Sequence, residues 1–194
     1  MIEQQVDVAT ADGQMSTFVC HPERRGPFPV ILFLMDAPGI REELRDMARR
    51  LATTGYCVLL PNLYYRSGVD ELGEFIGRED VREKLFALMA RLSMSLVIAD
   101  CDAWITYANS CPAAGKGPIG VMGYCMSGRY AIGVAAHRPD RVGAAASLYG
   151  VKLIADEPNS PTSPRARPRA RSRSPGPSST TTRRWPSWSR SARR

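Results

Sequence analysis

The chain has 194 residues, 44% of them hydrophobic, which is enough for one domain with a sizeable core. Its formal net charge of +7 is unevenly spread: residues 1–154 carry 16 basic and 17 acidic side chains, whereas residues 155–194 carry ten arginines against Asp156 and Glu157. The first 154 residues are therefore excluded as a strongly basic surface for nucleic acid or anionic membrane, and only the tail has the charge for one.

Val6 to Ala9 and Met15 to Cys20 read as short strands around the hairpin signal Asp12-Gly13, an antiparallel entry to a sheet. After Gly26-Pro27, the unbroken apolar run Val30 to Met35 predicts a strand buried on both faces. Leu44, Met47, Ala48 and Leu51 recur at helical spacing. A second buried strand, Cys57 to Leu60, stops at Pro61. From Val81 to Ala108 the apolar residues keep helical register, as one long helix or two joined near Ser93 to Ser95. Strand Ile119 to Met122, a helix from Ser127 to about His137, and strand Ala144 to Tyr149 complete a strand-helix alternation of parallel α/β type. In such sheets reactive groups gather at the carboxyl ends of the strands, where Asp36 and Cys125 both fall.

The run Gly123-Tyr124-Cys125-Met126-Ser127-Gly128 puts a thiol on a strand-to-helix turn between small residues. Such a turn lifts the side chain above the sheet, and the following backbone NH points back as an oxyanion donor. Cys125 is the first candidate nucleophile; a buried structural thiol is the plainer alternative. Five cysteines with no C-x-x-C pair fit reduced thiols in the cytoplasm. Met1 to Gln5 has no signal-peptide order, and no apolar stretch approaches the ~18 residues of a membrane span, so a soluble cytoplasmic protein is expected.

The ordered motifs Phe28-Pro29-Val30-Ile31, Met35-Asp36-Ala37-Pro38-Gly39-Ile40, Gly55 to Arg66, the Cys125 elbow and Ser147-Leu148-Tyr149-Gly150 together resemble the dienelactone hydrolase family, a cysteine-using branch of the α/β-hydrolases. The resemblance covers residues 1–154 and implies an α/β-hydrolase fold, a mostly parallel sheet with helices on both faces, incomplete at its C-terminal end. It further implies a carboxylic-ester or lactone hydrolase acting on a small molecule, with Cys125 as nucleophile and Asp36 controlling the thiol's protonation. The backbone NH groups of Met126 and Ala37 would be the oxyanion donors. Asp36 is one methylene shorter than the glutamate frequent in the family, and its plainer reading is a surface carboxylate capping the next helix. Ser127 stands where the family pattern has glycine. Arg78 and Arg82 lie near the place of a substrate-binding arginine, with solvated helix-start charges as the alternative. Tyr64 and Tyr65 either line the mouth or pack.

In the family a later aspartate orients a histidine that takes the thiol proton. This sequence has only His21 and His137. Along a helix rising ~1.5 Å per residue, His137 lies about 18 Å from Cys125, whereas a base must come within about 3 Å. His21 precedes the elbow and matches no catalytic position. Activity is therefore expected to be impaired, or lost in a truncated relative. Residues 155–194, rich in Arg, Pro and Ser without apolar period, are expected to be a disordered tail. A shifted reading frame explains that composition: codons taken one base earlier permit Asp-Asp-Asp-Ala-Pro-Met-Ala-Glu-Leu-Val across Thr180 to Ser189, similar to the family's acid-bearing segment. A basic nucleic-acid-binding arm is the less favoured reading of the same residues. No metal cluster or phosphate-cradling loop is apparent, so no cofactor is expected, and the sequence does not give an oligomeric state.

Overall fold

The computed structural model describes residues 1–72 and 78–153. The expected tail, 155–194, lies outside the described residues, as does the shifted-frame segment within it. Strands β1 (Ile2–Thr10) and β2 (Gly13–His21) form the predicted hairpin, longer at both ends than the apolar residues alone suggest. Strand β3 (Val30–Leu34) is followed by helix α1 (Glu42–Thr53) and strand β4 (Cys57–Pro61). Helices α2 (Glu79–Arg91) and α3 (Met94–Ser110) are separate, because the chain turns extended at Leu92 and Ser93, whose hydroxyl caps α3 by accepting from the Leu96 NH. Strand β5 (Ile119–Tyr124), helix α4 (Gly128–His137) and strand β6 (Val142–Leu148) follow.

The six strands lie in the order β1-β2-β4-β3-β5-β6. The β1–β2 and β2–β4 pairs are antiparallel, whereas β4, β3, β5 and β6 run parallel. This is the α/β-hydrolase arrangement, with the carboxyl ends of the parallel strands at one edge. All five residues of β4 and four of the five in β3 are buried, the physical reason their runs carry no polar alternation. Helix α3 covers the hairpin side with Val97, Cys101, Trp104, Ile105 and Ala108, and Trp104 Nε1 donates to Met15 Sδ at 3.1 Å.

A polar clamp joins α3 to the loop after β4 and to the hairpin. Buried Asp100 accepts from Arg66 at 2.7 and 2.9 Å and from the Tyr65 hydroxyl at 2.9 Å. Arg66 also reaches Asp12 at the hairpin turn, at 2.7 Å, and Tyr65 lies 2.8 Å from Thr10 Oγ1. Tyr65 is thus a packing and clamping residue, remote in role from the elbow. Strand β6, expected over Ala144 to Tyr149, spans Val142–Leu148, with Gly143 to Ala146 exposed.

Candidate active site

Strand β5 ends at Tyr124, and one turn of 3-10 helix, Cys125–Ser127, leads directly into α4. Cys125 has φ +48°, a left-handed conformation that a side-chain-bearing residue adopts only when its surroundings enforce it. Two neighbours allow the bend by having no Cβ. At Gly123 a Cβ would stand 2.4 Å from the Ser127 carbonyl oxygen, and at Gly128 it would stand 2.4 Å from Ser147 Oγ and 2.6 Å from Gly150 Cα. The turn is held from below as well, because the Cys125 carbonyl accepts from the NH groups of Gly128 and Val151, the latter at 3.1 Å. Of the five free cysteines, Cys125 is the exposed one; Cys20, Cys57, Cys101 and Cys111 are buried. Burial pushes the Cys20 and Cys57 thiols up to about 12 and the Cys101 thiol to about 11, against an ordinary 9.0, so these three stay protonated.

Asp36 and Ala37 follow β3, the strand beside β5, so the loop bearing them borders the elbow. The Asp36 carboxylate takes two hydrogen bonds from Arg41, at 2.7 and 3.0 Å. That contact, the largest cause, drives the Arg41 pKa still higher. Asp36 therefore does not cap α1, whose cap position is Arg41 itself, without a side-chain cap bond. Instead the pair ties down its own turn: Arg41 also donates to the Gly39 carbonyl at 3.1 Å, and the Gly39 NH donates to the Asp36 carbonyl at 3.2 Å.

Two hydroxyls connect this loop to the elbow and its surroundings: that of Ser127, which stands where the family pattern has glycine, and that of Tyr64, read from the sequence as lining the mouth or packing. Ser127, fully buried, donates its hydroxyl to the Met35 carbonyl, so the serine in place of glycine is accommodated by a hydrogen bond across the strand ends. Tyr64, also buried, donates to the Ala37 carbonyl at 2.7 Å and lies 3.5 Å from Met126 Sδ. Desolvation first, then the neighbouring Tyr130, Asp36 and Cys125, push the Tyr64 hydroxyl above the usual tyrosine range, so it remains a donor.

A cavity of about 260 Å³ adjoins the elbow, bounded by Phe86, Met89, Met126, Arg129, Tyr130 and Lys152. Arg78 and Arg82 are exposed at the start of α2 and pair with Asp80 and Glu79. Both histidines stand away from the elbow. His137 is the last residue of α4, the helix that begins at the elbow, and its Nδ1 lies 3.0 Å from the Gly133 carbonyl. His21 ends β2, whose antiparallel register with β4 places it at the amino ends of the parallel strands. Among the described residues no group of three or more His, Cys, Asp or Glu side chains could hold a metal ion, and no helix is long and apolar enough to cross a membrane.

The sequence profile of the dienelactone hydrolase family matches residues 15–169. The chain belongs to the dienelactone hydrolase family. Among curated proteins, it is 30% identical over 156 residues to “Putative carboxymethylenebutenolidase” of Methylorubrum extorquens, which covers 80% of this chain and 51% of that one. It is 36% identical over 140 residues to the protein of the same name from Escherichia coli K12, covering 72% and 49%. A crystal structure of a “Putative Dienelactone Hydrolase” from Klebsiella pneumoniae is similar with a TM-score of 0.69 at 27% identity, covering 82% of this chain and 64% of that one. The chain thus spans about half the length of the curated relatives it matches. Within this dienelactone hydrolase-like fold the structure brings Cys125, Met126, Asp36 and Ala37 to one edge of the sheet and leaves both histidines at the other.

Proposed function

We propose that this chain carries the nucleophile-bearing part of a carboxylic-ester or lactone hydrolase of the dienelactone hydrolase type, with Cys125 as the attacking group. The observation that carries this reading is the left-handed, exposed Cys125 on a turn that Gly123 and Gly128 are shaped to permit. The Cys125 thiolate attacks the carbonyl carbon of a small ester held over the elbow, a C–S bond forms, and the carbonyl electron pair moves to oxygen. The NH groups of Met126 and Ala37 receive that oxyanion; its collapse breaks the C–O bond, expels an alkoxide that takes its proton from water (for a lactone, the ring opens), and leaves an acyl thioester on Cys125, which water hydrolyses to the carboxylic acid, returning the thiol. Asp36, which the resemblance makes the group controlling the thiol's protonation, has both carboxylate oxygens bonded to Arg41, and in this reading it also holds the turn that presents the Ala37 NH. The cavity beside the elbow, apolar at Phe86 and Met89 and cationic at Arg129 and Lys152, is of a size for a small acyl or lactone group.

With His21 and His137 both at the far edge of the sheet, the proton of a poor leaving group has no histidine to supply it among the described residues. We therefore propose impaired turnover: p-nitrophenyl esters, whose leaving group departs as an anion, acylate Cys125 readily, while simple alkyl esters and lactones turn over slowly. The test is release of p-nitrophenolate from p-nitrophenyl acetate by the full chain and by Cys125→Ser and Cys125→Ala. A burst close to one equivalent that vanishes in the alanine variant supports the reading. A burst that survives in that variant refutes it.

A further inference from the structure

The parallel ladder between β3 and β5 ends at Leu34 and Gly123, so nothing in the sheet's backbone pairing fixes Met35–Ala37 against Tyr124–Ser127. Yet the two oxyanion donors proposed above, the NH groups of Ala37 and Met126, come one from each of these segments, and their separation has to match a single oxygen atom. Resting on that reading of the site, we infer that Tyr64 and Ser127 are positioning residues: two buried hydroxyl struts that set the spacing between the two halves of the oxyanion hole.

Ser127 sits one residue after Met126, and its hydroxyl donates to the carbonyl of Met35, two residues before Ala37. The strut therefore bonds the elbow directly to the end of β3. Tyr64 comes from the third segment, after β4, and donates to the carbonyl of Ala37 at 2.7 Å while its oxygen rests 3.5 Å from Met126 Sδ. The Ala37 carbonyl lies beyond the end of the β3–β5 ladder, and the tyrosine hydroxyl supplies the donor that a ladder NH would supply within the sheet. Both side chains are buried, Tyr64 at 3% exposure and Ser127 at 0%, so water does not readily replace either hydroxyl once it is removed. Glycine at 127, as in the family pattern, has no such strut to offer. Its serine in this chain is more than a tolerated departure.

The test compares two reactions of the same thiol. Acetylation by p-nitrophenyl acetate passes through an oxyanion, whereas alkylation by iodoacetamide displaces iodide at a saturated carbon and forms none. The full-length chain and its Tyr64→Phe and Ser127→Ala variants are assayed for both rates at Cys125, with thermal melting as a check of folding. Misplacing an oxyanion donor by a fraction of an ångström lowers the acetylation rate by roughly 10- to 100-fold. Alkylation stays within about twofold, because access to the exposed thiol is untouched. Unchanged acetylation in both variants, or equal slowing of the two reactions, overturns the inference. If one variant fails to fold, the other decides. An unmodified chain that alkylates at Cys125 but does not acetylate there refutes the proposed function itself, a result separable from the failure of the struts alone.

Discussion

Replacing Gly128 by alanine isolates the close packing on which the elbow depends. Gly128 has φ −56° and ψ −40°, ordinary right-handed helical values, so backbone preference favours alanine here by roughly 0.5–1 kcal/mol. Sterics oppose it. The new Cβ would lie 2.6 Å from Gly150 Cα and 2.4 Å from Ser147 Oγ, and the first of these is main chain that cannot rotate aside. Overpacking costs about 1–3 kcal/mol, and a clash with fixed main chain belongs in the upper half of that range, about 2–3 kcal/mol, leaving a net loss of about 1–2.5 kcal/mol, or roughly 2–10 °C in melting temperature for a chain of this size. The relief comes from moving the segment after β6, which also carries the Val151 NH bonded to the Cys125 carbonyl, so the rate of Cys125 acetylation falls as well. Gly133→Ala is the control. Its Cβ would meet the Met94 side chain at 2.1 and 2.6 Å, but those atoms are Sδ and Cε, the free end of a flexible thioether. This variant is expected within about 1 kcal/mol of the parent and with unchanged acetylation. A Gly128→Ala chain that melts like the parent and acetylates at the parent rate would refute the packing argument.

Iodoacetamide at pH 8 is expected to label the native chain at Cys125 alone and all five cysteines after denaturation, read by peptide mapping, because the other four are buried. For Cys20 and Cys57, thiols held at about 12 instead of 9.0 have about 1000-fold less thiolate, apart from the steric barrier. The same shifts set an alkaline limit. The folded pKa lies above the unfolded one, so above pH 9 the unfolded chain releases protons that the folded chain keeps; stability is full below pH 9 and declines as pH rises towards 12. Urea midpoints should therefore fall from pH 9 to 11, and Cys20→Ala should flatten that slope. Asp100→Ala removes the centre of the α3 clamp and leaves Arg66 with Asp12 alone, at a cost of about 2–4 kcal/mol measured by urea unfolding; a change below 0.5 kcal/mol would contradict the clamp.

The central sheet was readable in advance because its cause is local. Val30 to Leu34 and Cys57 to Leu60 are continuously apolar since both faces are covered, and the break between α2 and α3 was foreshadowed by the serines at 93 and 95. The position of Cys125 was readable for a similar reason: the glycines at 123 and 128 record the space the turn needs. What sequence pattern does not encode is contact across the sheet. Tyr64 looked like an aromatic after a strand, and its partner Ala37 is 27 residues away in a loop without periodicity. Asp36 and Arg41, five apart in a non-helical turn, follow no pairing rule, and Ser127 looked only like a missing glycine. The exposure of Gly143 to Ala146 in β6 was equally unreadable, since small apolar residues suit a covered strand and a bare one alike.

The most direct test of Cys125 as the nucleophile is trapping of the acyl group itself. The full chain is mixed with p-nitrophenyl acetate, quenched in acid within the burst, digested and mapped by mass spectrometry. A single acetyl thioester on the peptide containing Cys125, absent from the Cys125→Ala chain, is the predicted result; acetylation spread over lysines and other residues with the Cys125 peptide unmodified would contradict it.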